Sequence, residues 1–248
     1  MQRKHASILA LCLTILISNT IFLFSLSERD NLNSVIVSRV IDGDTFVTDS
    51  GEIIRLANIN APEKKSNLSL LSKAYLSSFI NESIFLERIK IEKYGRTLGR
   101  IYTKNNTYIN LQLVNLGLAS KFLVDESELS YFSRAEENAI ENNKGIWNKS
   151  SFKDCIFIDI HEREEFVIIK NICSPIDFSG WVIKDESRKE YKFKNYINKV
   201  LILHSSSGND NSTDLFWNEE KDIWNNDRDT LYLFDKENNL VFHKSYGY

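Results

Sequence analysis

Val40-Ile41-Asp42-Gly43-Asp44-Thr45-Phe46-Val47-Thr48-Asp49-Ser50-Gly51-Glu52-Ile53-Ile54-Arg55-Leu56 reads as short strands joined by two tight turns. Residues 34–41 alternate apolar and polar side chains, the period of a half-buried strand. Asp42-Gly43-Asp44 reverses the chain, 45–48 resume the strand, Asp49-Ser50-Gly51 reverse it again, and 52–58 make the third strand. Outward from this stretch, Leu68, Leu71, Tyr75, Leu76 and Phe79 recur at helical spacing over 66–80. Residues 85–92 and 98–103 add two strands. The pattern over 110–118 predicts a helix capped by Asn110 and closed near Gly117, and 130–143 a helix ended by Lys144-Gly145. Five strands with about three helices predict a small Greek-key barrel of the OB type, the α+β half of a mainly β chain.

Helical periodicity stops after Trp147. Short apolar runs at 156–160, 165–172, 180–184, 189–193, 200–204, 231–235 and 240–244 alternate with Asn, Asp, Ser and Gly turns. That spacing predicts an immunoglobulin-like β-sandwich over 153–248, behind a barrel domain at 34–150. A hairpin centred near residue 164 sets Cys155 opposite Cys173, either as a disulfide in an oxidising compartment or as two buried thiols. Trp181 and Trp224 read as core, Asp229 as turn chemistry, and His204 and His243 as strand residues without zinc spacing.

The front of the chain is of a different kind. Arg3, Lys4 and His5 precede an uncharged, Leu/Ile/Phe-rich run over 6–26, without a clean small-residue cleavage site. Residues 1–27 therefore read as a signal peptide or an N-terminal membrane anchor, which expects the rest to be secreted or extracytoplasmic. The net charge of −3 divides into +2 for 1–27, 0 for 28–150 and −5 for 151–248. Bulk basicity is excluded as the basis of nucleic-acid binding, and any such binding must use placed groups. Lys90, Lys93, Arg96, Arg100 and Lys104, with Arg55, are the candidates for a local basic surface.

Chemistry-bearing residues concentrate in the barrel half. Asp42 and Asp44 flank a hairpin turn. Arg55 through Glu63 bring a guanidinium, the Asn60 amide and a carboxylate close in sequence, and strand alternation puts Arg55 and Ile59 on one face. Lys93-Tyr94-Gly95-Arg96 adds a second arginine beside a glycine. Oxygen donors with two arginines suit a hard divalent cation and a phosphodiester.

This pattern resembles the staphylococcal (micrococcal) nuclease, or thermonuclease-like, family. The matching runs are Val40-Ile41-Asp42-Gly43-Asp44-Thr45, Arg55-Leu56 through Ala61-Pro62-Glu63, Tyr94-Gly95-Arg96, Asn115-Leu116-Gly117-Leu118-Ala119 and Ala135-Glu136 through Gly145-Ile146-Trp147. The resemblance implies Ca2+-dependent hydrolysis of DNA and RNA, single-stranded or denatured by preference, leaving 3′-phosphate ends. It implies Asp44 as a metal-ligating carboxylate, Asp42 as the acid holding water near the metal, and Ala61 as a backbone-carbonyl ligand. Glu63 falls on the residue that orients or deprotonates the attacking water, Arg55 and Arg96 on the pair that grips the phosphate, and Lys93 and Tyr94 beside the terminal phosphate. Asn60 departs from the family, which has an Asp ligand there. An amide oxygen can coordinate calcium without adding charge, so a weaker site is expected.

Residues 153–248 resemble the lamin-tail family through Glu165-Phe166-Val167-Ile168-Ile169-Lys170-Asn171, Ile176-Asp177-Phe178-Ser179-Gly180-Trp181-Val182-Ile183-Lys184-Asp185 and Trp224-Asn225-Asn226. That resemblance implies an attachment or binding module for an unknown protein or surface ligand. The expected protein is a monomeric, exported nuclease, held to a membrane if the first segment stays uncleaved. Its alternatives are an impaired nucleic-acid-binding protein and an envelope-attachment protein.

Overall fold

The computed structural model describes residues 32–62, 67–187, 189–194 and 199–247. The apolar run 6–26, read as export signal or anchor, and Glu63 lie outside the described residues.

The alternating stretch closes into a barrel. Strand β1 (Leu32–Val40) pairs antiparallel with β2 (Thr45–Thr48), and β2 pairs antiparallel with β3 (Ile53–Leu56). Next to β3 runs β6 (Thr97–Tyr102) in parallel; β5 (Ser83–Ile91) joins β6 back to β1. The five strands form the expected closed barrel, its core filled by Val37, Phe46, Ile54, Leu56, Leu86 and Ile101. Helices α1 (Asn67–Ser77), α2 (Ile109–Asn115) and α3 (Leu129–Glu141) lie where the periodicity predicts them.

Two local details differ from the sequence reading. The third strand stops at Leu56, because Asn58 takes φ of +65°, a left-handed conformation that Asn tolerates. The chain restarts as β4 (Ile59–Asn60), and Ile59 enters the core. Arg55 sits between the core residues Ile54 and Leu56 and so points outward, which separates it from the face of Ile59. Asn110 is not the cap of α2, which Tyr108 precedes without a side-chain cap bond. Fully buried, Asn110 accepts the Ile101 amide at 3.1 Å and donates to the carbonyls of Ala57 at 2.9 Å and Gly99 at 3.1 Å. It thus ties α2 to β6 and to the turn after β3.

Gly117 does close α2. At φ +66° it donates to Val114 at 2.9 Å, and Leu118 donates to Leu113 at 2.9 Å, the paired bonds of a Schellman ending. A Cβ there would sit 2.1 Å from the Lys144 carbonyl, so the Gly117 and Gly145 runs can lie against each other only without side chains.

Beyond the short 3-10 turn Gly145–Trp147 come two four-stranded sheets. One contains β8 (Ile156–His161), β9 (Phe166–Asn171), β12 (Val200–His204) and β13 (Asp214–Phe216). The other contains β10 (Val182–Lys184), β11 (Glu190–Lys192), β14 (Asp229–Phe234) and β15 (Leu240–Tyr246). Trp181 and Trp224 are buried between them, in the immunoglobulin-like sandwich the strand spacing predicts. Strand β13, only three residues long and parallel to β12, follows a polar loop and carries too few residues for alternation to reveal it. The β8–β9 hairpin brings Cys155 and Cys173 together as a disulfide, with Cα atoms 5.2 Å apart.

The halves are packed together. Ala139, Ile140, Ile146 and Trp147 share one apolar cluster with Tyr232, Phe234 and Leu240. Trp147 stacks on Tyr232 at 5.3 Å between ring centroids.

Candidate active site

The candidate site is built where the tip of the β1–β2 hairpin meets β4. Gly43 permits the approach: a Cβ there would stand 2.7 Å from the Ala61 Cβ and 2.6 Å from the Ser72 Cβ. Within the tip, Asp44 N–H donates to Asp42 Oδ1 at 3.2 Å, and the Thr45 hydroxyl donates to Asp44 Oδ1 at 3.0 Å. Asp44 Oδ2 accepts the Ala61 amide at 2.8 Å and pairs with the Arg55 guanidinium at 3.2 Å, both side chains 6% exposed. Arg55 also donates to the carbonyls of Leu56 and, at 2.7 Å, Ile59. Asp42, Asp44, Arg55, Asn60 and Ala61 are thus brought into one neighbourhood.

Asn60 is held by its backbone. It pairs with Ser120 of β7 (Ser120–Lys121), whose hydroxyl donates to the Asn60 carbonyl at 3.3 Å. Its side-chain oxygen, Oδ1, is buried without a hydrogen-bond partner among the described residues. A buried acceptor left unsatisfied carries a desolvation cost that a cation can remove. The donor set of carboxylate, amide and carbonyl oxygens fits a hard divalent ion of the calcium type, with one carboxylate fewer than the family's pattern. No group of three or more His, Cys, Asp or Glu gathers as a metal cluster among the described residues, Glu63 being outside them.

The second arginine is placed differently. Arg96 stands at the β5–β6 turn and pairs with Glu92 at 2.8 Å, about a third exposed. It immediately precedes Thr97, which pairs with Ile54, the β3 residue next to Arg55. Lys93 and Tyr94 are exposed at the turn, Tyr94 by 80%. The expected basic surface is interrupted, because Arg100 is committed to Glu87 at 2.9 Å and to Asp125 and Glu128 at 2.7 Å each. Charges far apart in sequence neutralise one another there, and composition along one strand does not show it.

Sequence reasoning missed Lys121 and, though Glu136 stands in a matching run, gave that residue no role. Lys121, 1% exposed, reaches Glu136 at 3.0 Å and the Thr230 hydroxyl at 2.7 Å, while Tyr232 donates to Glu136 at 3.1 Å. The available signal was a lysine directly before the apolar run Phe122-Leu123-Val124.

Residues 53–149 match the family model described as Staphylococcal nuclease homologue, and residues 148–248 match the Lamin Tail Domain. The chain is 30% identical over 139 residues to Endonuclease YhcR of Bacillus subtilis, covering 46% of this chain and only 11% of that protein. It is 30% identical over 116 residues to an uncharacterized endonuclease of Escherichia coli O157:H7, covering 45% of this chain and 75% of the relative. With the Thermonuclease of Staphylococcus intermedius it shares 30% identity over 131 residues, 47% of this chain and 77% of the relative. These similarities support a nuclease-type activity in general. With its barrel, family-model matches and relatives agreeing, the chain belongs to the staphylococcal nuclease homologue family and carries a lamin tail domain behind that module.

Proposed function

We propose that this protein is an exported, calcium-dependent nuclease that hydrolyses DNA and RNA phosphodiesters and leaves 3′-phosphate ends. The observation that carries the reading is the Asp44–Ala61 staple beside the orphaned Asn60 Oδ1. Asp44, Asn60 and the Ala61 carbonyl would hold the ion, with Asp42 beside them. A bound hard cation supplies positive charge at the scissile phosphate. Arg55, already against Asp44, and Arg96, whose ion pair with Glu92 lies part-exposed at the turn, balance the charge that builds on the phosphoryl oxygens. Glu63 takes the part of orienting or deprotonating the attacking water, and Lys93 and Tyr94 contact a terminal phosphate. The disulfide and the apolar run 6–26 support export, where calcium is abundant enough for a weak site. The lamin tail domain serves as the attachment module.

The Arg55–Asp44 pair together with Asn60 favours a second reading, a nucleic-acid-binding protein whose metal site has decayed. Cleavage of denatured DNA across a calcium titration separates the two. The nuclease reading expects cleavage that saturates near millimolar calcium, 3′-phosphate products, and an Asn60→Asp variant that needs about tenfold less calcium. No cleavage at any calcium concentration, with activity appearing only in Asn60→Asp, establishes the second reading.

A further inference from the structure

A buried ammonium must be paired, and Lys121 is paired from both domains. Its Nζ meets Glu136 Oε2 of α3 at 3.0 Å, the Thr230 hydroxyl of β14 at 2.7 Å and Glu186 Oε2 at 3.5 Å. The same Glu136 accepts the Lys121 amide at 2.9 Å and the Tyr232 hydroxyl at 3.1 Å. Thr230 Oγ1 lies 2.9 Å from Ser245 Oγ and 3.2 Å from Glu186 Oε2, so its own hydrogen also has a place.

What Lys121 fixes is the strand beside the candidate metal site. Strands β4 and β7 form a two-stranded sheet, with Ile59 opposite Lys121 and Asn60 opposite Ser120. Phe122 N–H extends the pairing to the Asn58 carbonyl at 2.9 Å. A shift of Lys121 therefore carries Asn60 and Ala61 with it. The other domain also faces these donors directly: Asn60, Ala61 and Ser120 share a cleft of about 460 Å3 with Lys184, Glu186 and Tyr232.

We infer that the lamin tail domain is a structural part of the nuclease site, with Lys121 the positioning residue through which Thr230, Glu186 and Tyr232 set the Asn60–Ala61 donor segment. The inference rests on the metal-site reading above. It differs from that reading in making the second domain necessary for the first one's chemistry, where a tether would leave that chemistry untouched.

The test uses the full chain with Thr230→Val, which removes the hydroxyl at constant shape, and Thr230→Ser, which retains it. Hydrogen exchange over 57–62, whose exchangeable amides are those of 57–61, is followed without calcium, and calcium chloride alone is titrated calorimetrically into each protein. Thr230→Val is expected to speed exchange over 57–62 and to weaken calcium binding about tenfold, as loss of an outer-shell partner does. Thr230→Ser is expected to behave as the parent, and KM for denatured DNA at saturating calcium is expected to stay unchanged. Faster exchange confined to 228–246, with unaltered calcium affinity, overturns the inference and leaves Thr230 as domain glue. If Thr230→Val does not fold, Tyr232→Phe, which removes one hydroxyl from Glu136, is read the same way. A parent chain that binds calcium without cleaving refutes the hydrolytic reading, and the affinity comparison still decides the clamp. One that binds no calcium refutes the metal site, and exchange over 57–62 then decides whether the clamp governs that segment.

Discussion

The Asp44 carboxylate accepts the Ala61 amide hydrogen at 2.8 Å, stapling a hairpin tip to the residue that follows β4, 17 positions further along the chain. The same oxygen faces the Arg55 guanidinium at 3.2 Å in a nearly dry environment. One side chain therefore holds the site's shape and balances its charge.

Asp44→Ala leaves Arg55 buried without that counter-charge and is expected to cost about 3–5 kcal/mol. Asp44→Asn also removes the charge but retains an acceptor for the Ala61 amide and the Arg55 guanidinium, so it should cost less, about 1.5–3 kcal/mol. On the proposed function, both should abolish calcium-dependent cleavage. Urea denaturation followed by Trp fluorescence checks the order; equal stabilities of the two variants would show that the acceptor at residue 44 contributes nothing, and a parent no more stable than either would show the same of the Arg55 pairing.

Asn110→Leu removes three bonds at a fully buried position and strands the Ile101 amide and the Ala57 carbonyl, while the Gly99 carbonyl keeps the Ala57 amide at 2.9 Å. An unsatisfied buried group costs about 1–3 kcal/mol, and relaxation shares the loss, so about 3 kcal/mol is expected in all. The melting temperature measures it. A change within experimental error removes Asn110 from its place as the link between α2 and the barrel.

The Cys155–Cys173 bridge closes a loop across a sequence separation of 18. In the chain-entropy account, a loop of this size restricts the unfolded state by about 3 kcal/mol. The Cys155→Ser, Cys173→Ser double variant should unfold at correspondingly lower denaturant, as should the reduced parent chain. Identical midpoints with and without reductant would contradict this.

Asp229 gives the stability a pH dependence. Burial raises its carboxyl from 3.8 to about 6, against the amide donors Asn225, Glu186 and Thr230, and with Asp185 adding repulsion. Between those values the folded chain holds a proton that the unfolded chain has released. Stability contributed at this residue therefore falls as pH rises from about 4 to about 6, by about 3 kcal/mol over the span. Glu52, whose pKa the Arg88 hydrogen bond lowers, acts in the opposite sense, so the comparison must be with Asp229→Asn. That variant should lose the fall across this window; a parallel pH profile for the two proteins would contradict the assignment.

Periodicity and turn chemistry in one dimension determined the barrel strands, the three helices and most strands of the sandwich. Alternation at period two and the helical recurrence are local consequences of where a side chain must point. Motif residues such as Asp42, Asp44 and Asn60 were legible for the same reason, since their spacing lies within single turns and strand ends. Tertiary structure decided what local pattern cannot express. Asn58 breaks the strand that alternation would carry on, Asn110 turns from cap to buried clasp, and Arg100 is taken out of a basic stripe by three carboxylates from elsewhere. Lys121 shows the limit most clearly, for its hydroxyl partner Thr230 is 109 residues away. A buried charge is stable only where distant acceptors converge on it, and that convergence belongs to the packed fold.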